Sequence, residues 1–347
     1  MIEPRRRVLM LPPIAWLPYR RSQRPDAGPD MTALERLLAA EGFDVTILDP
    51  LPFPWNPLGG RHPLLQGIDP LRALRVLLCH RRVDAVIAVF EGPAVLPALL
   101  RRLFRFRPRL LMWDLTLTDW RLRQRIQDLV IPRLDEILVL GSNQVADIAA
   151  RWPAHAMVTY IGHYVDTGFF RPLPSGEGAG FVLSVGDDGG RDYDTLLQAI
   201  VGLDAEVVIR THRRLPPDLP RLRLIPERVT FPELRRLYAD AAFVVVPMHD
   251  RPHAGGVSAV LEAAAMGRAM VVSDSTGIRD YCVDGETCLL VPCGDSAALA
   301  AAIRRLAGDA ALRERLGRNA RAFAEHACST EAFVQRLAAR LRSMSAS

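Results

Sequence analysis

Lysine is absent from the chain. All 44 basic side chains are arginine, set against 39 acidic ones, and a bias this uniform reflects coding preference more than chemistry, so the charge count alone names no partner. Cysteine is scarce: Cys79, Cys282, Cys288, Cys293 and Cys328 form an odd set without a C-x-x-C pair. That excludes a disulfide framework and argues against structural zinc, leaving reduced thiols as the expectation. No stretch approaches the roughly 20 apolar residues that cross a bilayer, and the start MIEPRRRVLMLPP lacks the long apolar region of a signal peptide. The expected placement is therefore cytoplasmic. Internal repeats and low-complexity tracts are missing too, and His62, His80, His155, His212 and His326 share no ligand spacing, so no metal is expected.

What the chain does have is core-forming capacity. Over 347 residues it is 49% hydrophobic and 24% charged, which excludes a disordered polymer and a small stapled scaffold. Basic character is concentrated early: 23 Arg face 17 acidic residues in 1–172, and 21 face 22 in 173–347.

Apolar runs at 8–12, 44–49, 84–90, 109–113 and 136–140 read as buried strands separated by helical or loop segments, among them a helix near 31–40 closed by Gly42. Residues 170–180 are rich in proline and glycine without an apolar period and read as a linker. A second alternating series follows, with strands at 181–185, 205–210, 242–247, 269–273 and 288–291 and helices at 193–201, 231–239, 257–266, near 277–283 and at 296–306, before a last amphipathic helix at 331–344. Alternation of this kind predicts parallel sheets covered on both faces. The expected fold class is α/β: two doubly wound, Rossmann-like domains facing across a cleft, an N-terminal one over 1–172 and a C-terminal one over 173–328, with 329–347 as a closing helix. Ligands of such sheets sit beyond the carboxyl ends of the strands.

The densest signal runs from Gly255 to Asp295. Gly255 and Gly256 form a turn that opens a helix, so the amides of Gly255, Gly256, Val257 and Ser258 and the positive helix end are placed to meet an anionic phosphate. Glu262, about two turns in, has two readings: an ordinary solvated helix residue, or a carboxylate that accepts both hydroxyls of a ribose diol. Upstream, Gly186 opens a second glycine-rich turn after a strand, and Arg191 follows as a cation able to neutralise a diphosphate or to pair locally with Asp188 or Asp192.

These blocks carry a resemblance. The runs LEAAAMGRAMVV, TGIRDY, DGETCLLVP and CGD are similar, in order and at compatible spacing, to LEAMA-x-G-x-PVV, GG-I-x-E, DG-x-TG-LLVP and x-GD of the family 4 retaining glycosyltransferases (glycosyl transferases group 1), which have the GT-B fold. Residues 158–172 resemble the I-x-N-G-V-D-x-x-x-F-x-P segment that closes the first domain in that family, and 183–199 resemble its phosphate-binding block, with Arg191 at the position of a lysine. The resemblance implies transfer of a sugar from a nucleotide-diphosphate donor, UDP- or GDP-linked, to a saccharide or lipid-linked acceptor with retention of configuration and without a metal or other cofactor. It also implies that Gly186, Arg191, Gly255, Gly256, Val257, Ser258 and Glu262 bind the donor and that the last helix returns to the first domain.

The match has departures. Ala254 stands where the family has an acid, beside His253, which is either a sugar-contacting catalytic residue or a solvated bystander. Asp187 stands where the family has a phosphate-contacting arginine. In the first domain, Asp114 follows a strand where relatives carry His-Asp; it either orients an acceptor hydroxyl as a catalytic residue or caps the strand end. Glu91 is a second acceptor-side candidate on the same rim. Residues 28–30 replace a glycine pair before the first helix. The stretch Arg101–Arg109, with Arg121, Arg123 and Arg125, reads either as a patch for anionic lipid head groups or as a solvated helix end. Nucleic acid is not expected, because no recognition motif accompanies the charge. Two other classes remain open at this stage: a nucleotide-sugar epimerase on the same fold, and a catalytically silent nucleotide-sugar-binding subunit.

Overall fold

The computed structural model describes residues 5–16, 27–52, 67–115, 121–153, 157–174, 180–216 and 219–344. Two parallel sheets, each of six strands, organise them. The described residues of Met1–Gln23, Met31–Ile161 and Val334–Ser347 form one compact unit, and those of Arg24–Asp30 and Gly162–Phe333 form the other.

The first sheet contains β1 (Arg6–Leu11), β2 (Phe43–Ile47), β3 (Ala85–Val89), β4 (Arg109–Trp113), β5 (Glu136–Val139) and β6 (Met157–Tyr160) in the order β2-β1-β3-β4-β5-β6. Between them run α1 (Ala33–Ala40), α2 (Pro70–Cys79), α3 (Glu91–Leu100), α4 (Arg121–Val130) and α5 (Asn143–Arg151). Right-handed crossovers place α2 to α5 on one face. There Val76, Ala94, Val130 and Ile148 pack on Val86, Met112 and Ile137. Arg72, on the inner side of α2, is buried, and its guanidinium donates to the carbonyls of Pro12, Leu48 and Gly67. Burial lowers its pKa to about 10 against the pull of Asp69 and Asp49, which leaves it charged at neutral pH.

The second sheet contains β7 (Phe181–Val185), β8 (Val207–Arg210), β9 (Leu222–Ile225), β10 (Ala241–Val246), β11 (Met270–Ser273) and β12 (Leu289–Val291) in the order β12-β11-β10-β7-β8-β9. Helices α6 (Tyr193–Ala199) and α9 (Ser296–Gly308) cover one face, joined there by the start of α10 (Ala310–Ala327). Helices α7 (Phe231–Asp240) and α8 (Val257–Ala265) pack on the strands from the other side. Side chains start most of them. Asp192, Asp295 and Asp309 accept from the amides of Thr195, Ala298 and Leu312, and Thr230 with Glu233 forms a reciprocal capping box. Helix α8 ends in a Schellman motif, with Gly267 N–H on Ala264 and Arg268 N–H on Ala263.

The division between units falls at Ile161/Gly162, earlier than residue 172. The reason is local packing: His163 N–H donates to the Tyr281 hydroxyl, Val165 N–H to Cys328, and Phe169 and Phe170 stack edge-on against Phe231 and Tyr238. The expected linker, 170–180, overlaps these contacts at Phe170, and its residues 175–179 lie outside the described ones. Gly28 packs against the Phe231 ring and Asp30 N–H donates to the Asp166 carboxylate, so 27–30 also belong with the second unit. The closing helix α11 (Thr330–Ser343) starts in the second unit and continues in the first, where Arg340 pairs with buried Glu136 and Arg336 donates to Ile161. Strands β6 and β9 and helix α10 are present in the structure without having been expected from the sequence pattern.

Helix α10 crosses α8 with Gly317 against the Gly267 carbonyl, so closely that a Cβ on Gly317 would collide with that oxygen. Gly317→Ala is expected to lower stability by about 1–3 kcal/mol through overpacking, measured by urea unfolding.

Candidate functional site

In the second sheet the chain reverses direction of travel between β7 and β10, which are neighbours. A doubly wound sheet offers its ligand crevice at such a switch point, beyond the carboxyl ends of the two strands. The segments leaving those ends are 186–192 after β7 and 247–256 after β10. They are held together by a bridge between Arg191 and Met248 and by bonds from Asp192 N–H to Pro247 and His249 N–H to Gly190.

Arg191 lies between them and is 3% exposed. Its Nε donates to Asp188 at 2.8 Å, while Nη1 is buried with no hydrogen-bond partner. Gly186 makes room for this guanidinium, since a Cβ there would collide with Arg191. The backbone groups of Gly186 are themselves engaged, with N–H on Arg210 and C=O accepting from Tyr193, so its place in the site is steric rather than as an amide donor. A Cβ on Gly256 would come within 3.4 Å of Arg191 Nη1. The unpartnered donor therefore abuts the amino end of α8.

That helix end is open. Gly256 is its N-cap, in the left-handed region at φ 73°, and supplies no side-chain cap. First-turn amides have no intrahelical acceptor, so those of Val257 and Ser258 remain for a ligand. Gly255 corrects the sequence expectation: its N–H donates to the His253 carbonyl, and its missing Cβ gives space to Met248. Ser258 Oγ lies 3.4 Å from Nε2 of His163, an imidazole the sequence reading did not select. Burial, with nearby His253, lowers the His163 pKa to about 4, so it is neutral.

Glu262 is half-buried, not a solvated helix residue. Its Oε2 accepts from the Tyr238 hydroxyl at 2.9 Å. Burial raises its pKa to about 7, against the Tyr238 hydrogen bond and the Arg191 charge, both of which favour the ionised form. Tyr238, fully buried on α7, also escaped the sequence reading; the available signal was that a tyrosine in a buried helix needs a partner for its hydroxyl. Ala254 is buried, and its amide lies close to the turn at Gly277, where an added Cβ would collide with it. Asp187 is not left facing a ligand uncompensated. It pairs with Arg210 and with the amide and ring of His212, and although burial opposes ionisation, those hydrogen bonds and the Arg210 charge hold its pKa at about 2.

The acceptor-side candidates lie in the first unit. Glu91 begins α3, and both of its oxygens accept from α4, from Arg123 at 2.8 and 3.2 Å and from Gln127 at 2.7 Å. It joins two helices, which removes the ground for an acceptor contact. Asp114 follows β4 at φ 66°, and the preceding strand β3 likewise ends in a left-handed residue, Phe90 at φ 66°. Two such non-glycine residues on adjacent strand ends hold strain where functional sites concentrate it. Asp114 Oδ1 is buried without a partner. Burial, then the Glu91 charge, raises its pKa to about 7 against the influence of Arg123. A strand cap would accept amide bonds; this carboxyl instead sits near half-protonation. Among the described residues, no group of three or more His, Cys, Asp or Glu side chains converges as a metal centre would.

Known proteins share the two-sheet architecture. Residues 192–309 match the family described as glycosyl transferases group 1. Sucrose-phosphate synthase from Thermosynechococcus elongatus superposes with a TM-score of 0.76 at 18% identity, over 99% of this chain and 100% of that one. HepE from Anabaena, solved with UDP and glucose, gives 0.67 at 15% identity over 98% and 100%. The fold is GT-B. A capsular polysaccharide biosynthesis glycosyltransferase, CapM of Staphylococcus aureus, is 31% identical over 121 residues, which span 35% of this chain and 30% of that protein.

Asp114 supplies a stability test. Its folded pKa near 7 lies above the unfolded value near 4, so the cost of burying the charge sets in as pH rises between the two. The stability of Asp114→Asn relative to the parent is expected to be greater at pH 8 than at pH 4 by about 2–4 kcal/mol, read from urea unfolding at the two pH values.

Proposed function

We propose that the chain is a glycosyltransferase that moves a sugar from a nucleoside-diphosphate donor, UDP- or GDP-linked, to a saccharide or lipid-linked acceptor. The observation that carries this reading is the buried, unpartnered Arg191 Nη1 against the open amino end of α8 at a sheet switch point, with α8 inside the stretch 192–309 that matches glycosyl transferases group 1. A nucleoside diphosphate offers what this place lacks: an anion dense in acceptors.

In the proposed reaction, Arg191 and the amides of Gly256, Val257 and Ser258 stabilise charge that develops on the departing diphosphate, the dominant electrostatic contribution in transfers of this kind. These groups counter that charge without a divalent ion. Glu262 accepts the ribose hydroxyls, and His253 hydrogen-bonds the sugar. Asp114 orients the acceptor hydroxyl and takes its proton. The acceptor attacks the face from which the diphosphate leaves, so configuration is retained. Five unpaired cysteines fit a reducing, cytoplasmic setting. A silent donor-binding subunit is the second reading, favoured by the buried Ala254. Nucleotide release from candidate donors separates the two, because the silent subunit releases none with any acceptor; release without an acceptor and with an altered sugar would mark an epimerase.

Calorimetry with UDP- and GDP-sugars is expected to show binding that Glu262→Ala and Arg191→Ala each weaken about 10–100-fold, with cooperative unfolding retained; unchanged affinity in both variants overturns the assignment. The pH dependence gives an independent check. Only ionised Glu262 accepts two hydroxyls, so affinity is expected to rise between pH 6 and pH 8. Tyr238→Phe removes a bond that favours ionisation and is expected to move the midpoint upward.

A further inference from the structure

The outer surface of α2 to α4 is unusual in composition. Helix α2 buries Ala73, Val76 and Leu77 against the sheet, yet Leu71, Leu74 and Leu78 form a second stripe on its opposite side. With Leu103, which follows α3, and Leu122 and Leu129 on α4, these leucines are between 42% and 77% exposed. The three helices lie side by side, α2 against α3 and α3 against α4, so their outward residues share one face of the unit. Soluble surfaces seldom group leucines in this way without an occupant.

Arginines frame the leucines. Residues 70–83, 101–109 and 121–127 contain no Asp or Glu. Arg75, Arg82, Arg102, Arg105, Arg121 and Arg125 make no side-chain ion pair among the described residues. The patch differs from the sequence expectation: Arg101 and Arg109 are taken by Asp135, Arg123 by Glu91, and Phe106 is buried. The exposed leucines, not the interleaved phenylalanines, are its apolar component.

We propose that this face rests on the surface of an anionic lipid bilayer, with arginines at the head-group phosphates and leucines at the acyl boundary. Charge complementarity selects this occupant. A second copy using the same face would set arginine against arginine. A nucleic acid would neutralise the arginines and leave the leucines in water. An amphipathic helical surface on a membrane satisfies both. Among the described residues no helix is long and apolar enough to cross a membrane, so the contact is interfacial. This inference uses the first unit alone and does not depend on the donor-site reading.

The test is flotation of the full chain with vesicles of phosphatidylcholine alone and of phosphatidylcholine with phosphatidylglycerol. Expected is preferential binding to the anionic vesicles. Arg121→Gln/Arg125→Gln lowers it about 30-fold at low salt, the change that about 1 kcal/mol per arginine implies. Leu74→Ser/Leu78→Ser lowers it by about tenfold or more, and still does so at high salt. The pair Arg304→Gln/Arg305→Gln, on the other unit, leaves it unchanged. All substituted side chains are exposed, and thermal unfolding confirms that each variant folds. Equal binding to both vesicles, binding to neither, or indifference to the substitutions overturns the proposal. So does a dimer in light scattering that Leu74→Ser/Leu78→Ser dissociates, which would assign the face to a second copy.

Discussion

Burial of a single guanidinium organises the second unit. Arg191 is fixed on one side by Asp188 and by the space that Gly186 leaves, and on the other it touches the turn that opens α8. A buried cation with an unsatisfied donor is costly. The surrounding backbone is shaped around that cost, through the Arg191–Met248 bridge and the cross-links between the two strand-end segments. Glu262 feels the same charge from the side of α8 and is steadied by Tyr238. Strand ends, helix opening and carboxylate thus form one electrostatic assembly.

The pairing at Asp187 shows how such an assembly tolerates an acid. Near the buried Arg191, Asp187 stands two residues beyond β7. Arg210, at the end of the adjacent strand β8, lies beside it in the sheet though 23 positions later in the chain, and with His212 it binds the carboxylate. Neutralisation across neighbouring strands replaces neutralisation along the sequence.

That distinction governs what the sequence made legible. Central strands such as 181–185, 109–113 and 241–246 are buried on both faces and announce themselves as continuous apolar runs. Edge strands β6 and β9 contain no buried residue, with Met157, Tyr160 and Arg223 exposed, and their short runs blend into the flanking loops. Helix α10 buries only Leu312, Leu316, Gly317, Ala320 and Ala324 amid many arginines, too thin a stripe to stand out. At the site, residues contiguous in motifs, Gly186 to Arg191 and Gly255 to Glu262, were within reach, while their supports were not. His163, Tyr238 and Arg210 arrive from other elements, and only the folded sheet makes them neighbours. The engagement of Glu91 by α4 was hidden for the same reason.

Arg72 bears on the outer face of the first unit in another way. It sits on the inner side of the helix whose outer side carries Leu71, Leu74 and Leu78, and it grips carbonyls just beyond the ends of β1 and β2. A charge-assisted bond of this kind resists shear. Any load taken up by those leucines is therefore transmitted through a rivet to the rim where the strands terminate, and the helix cannot slide without first breaking its hold on both.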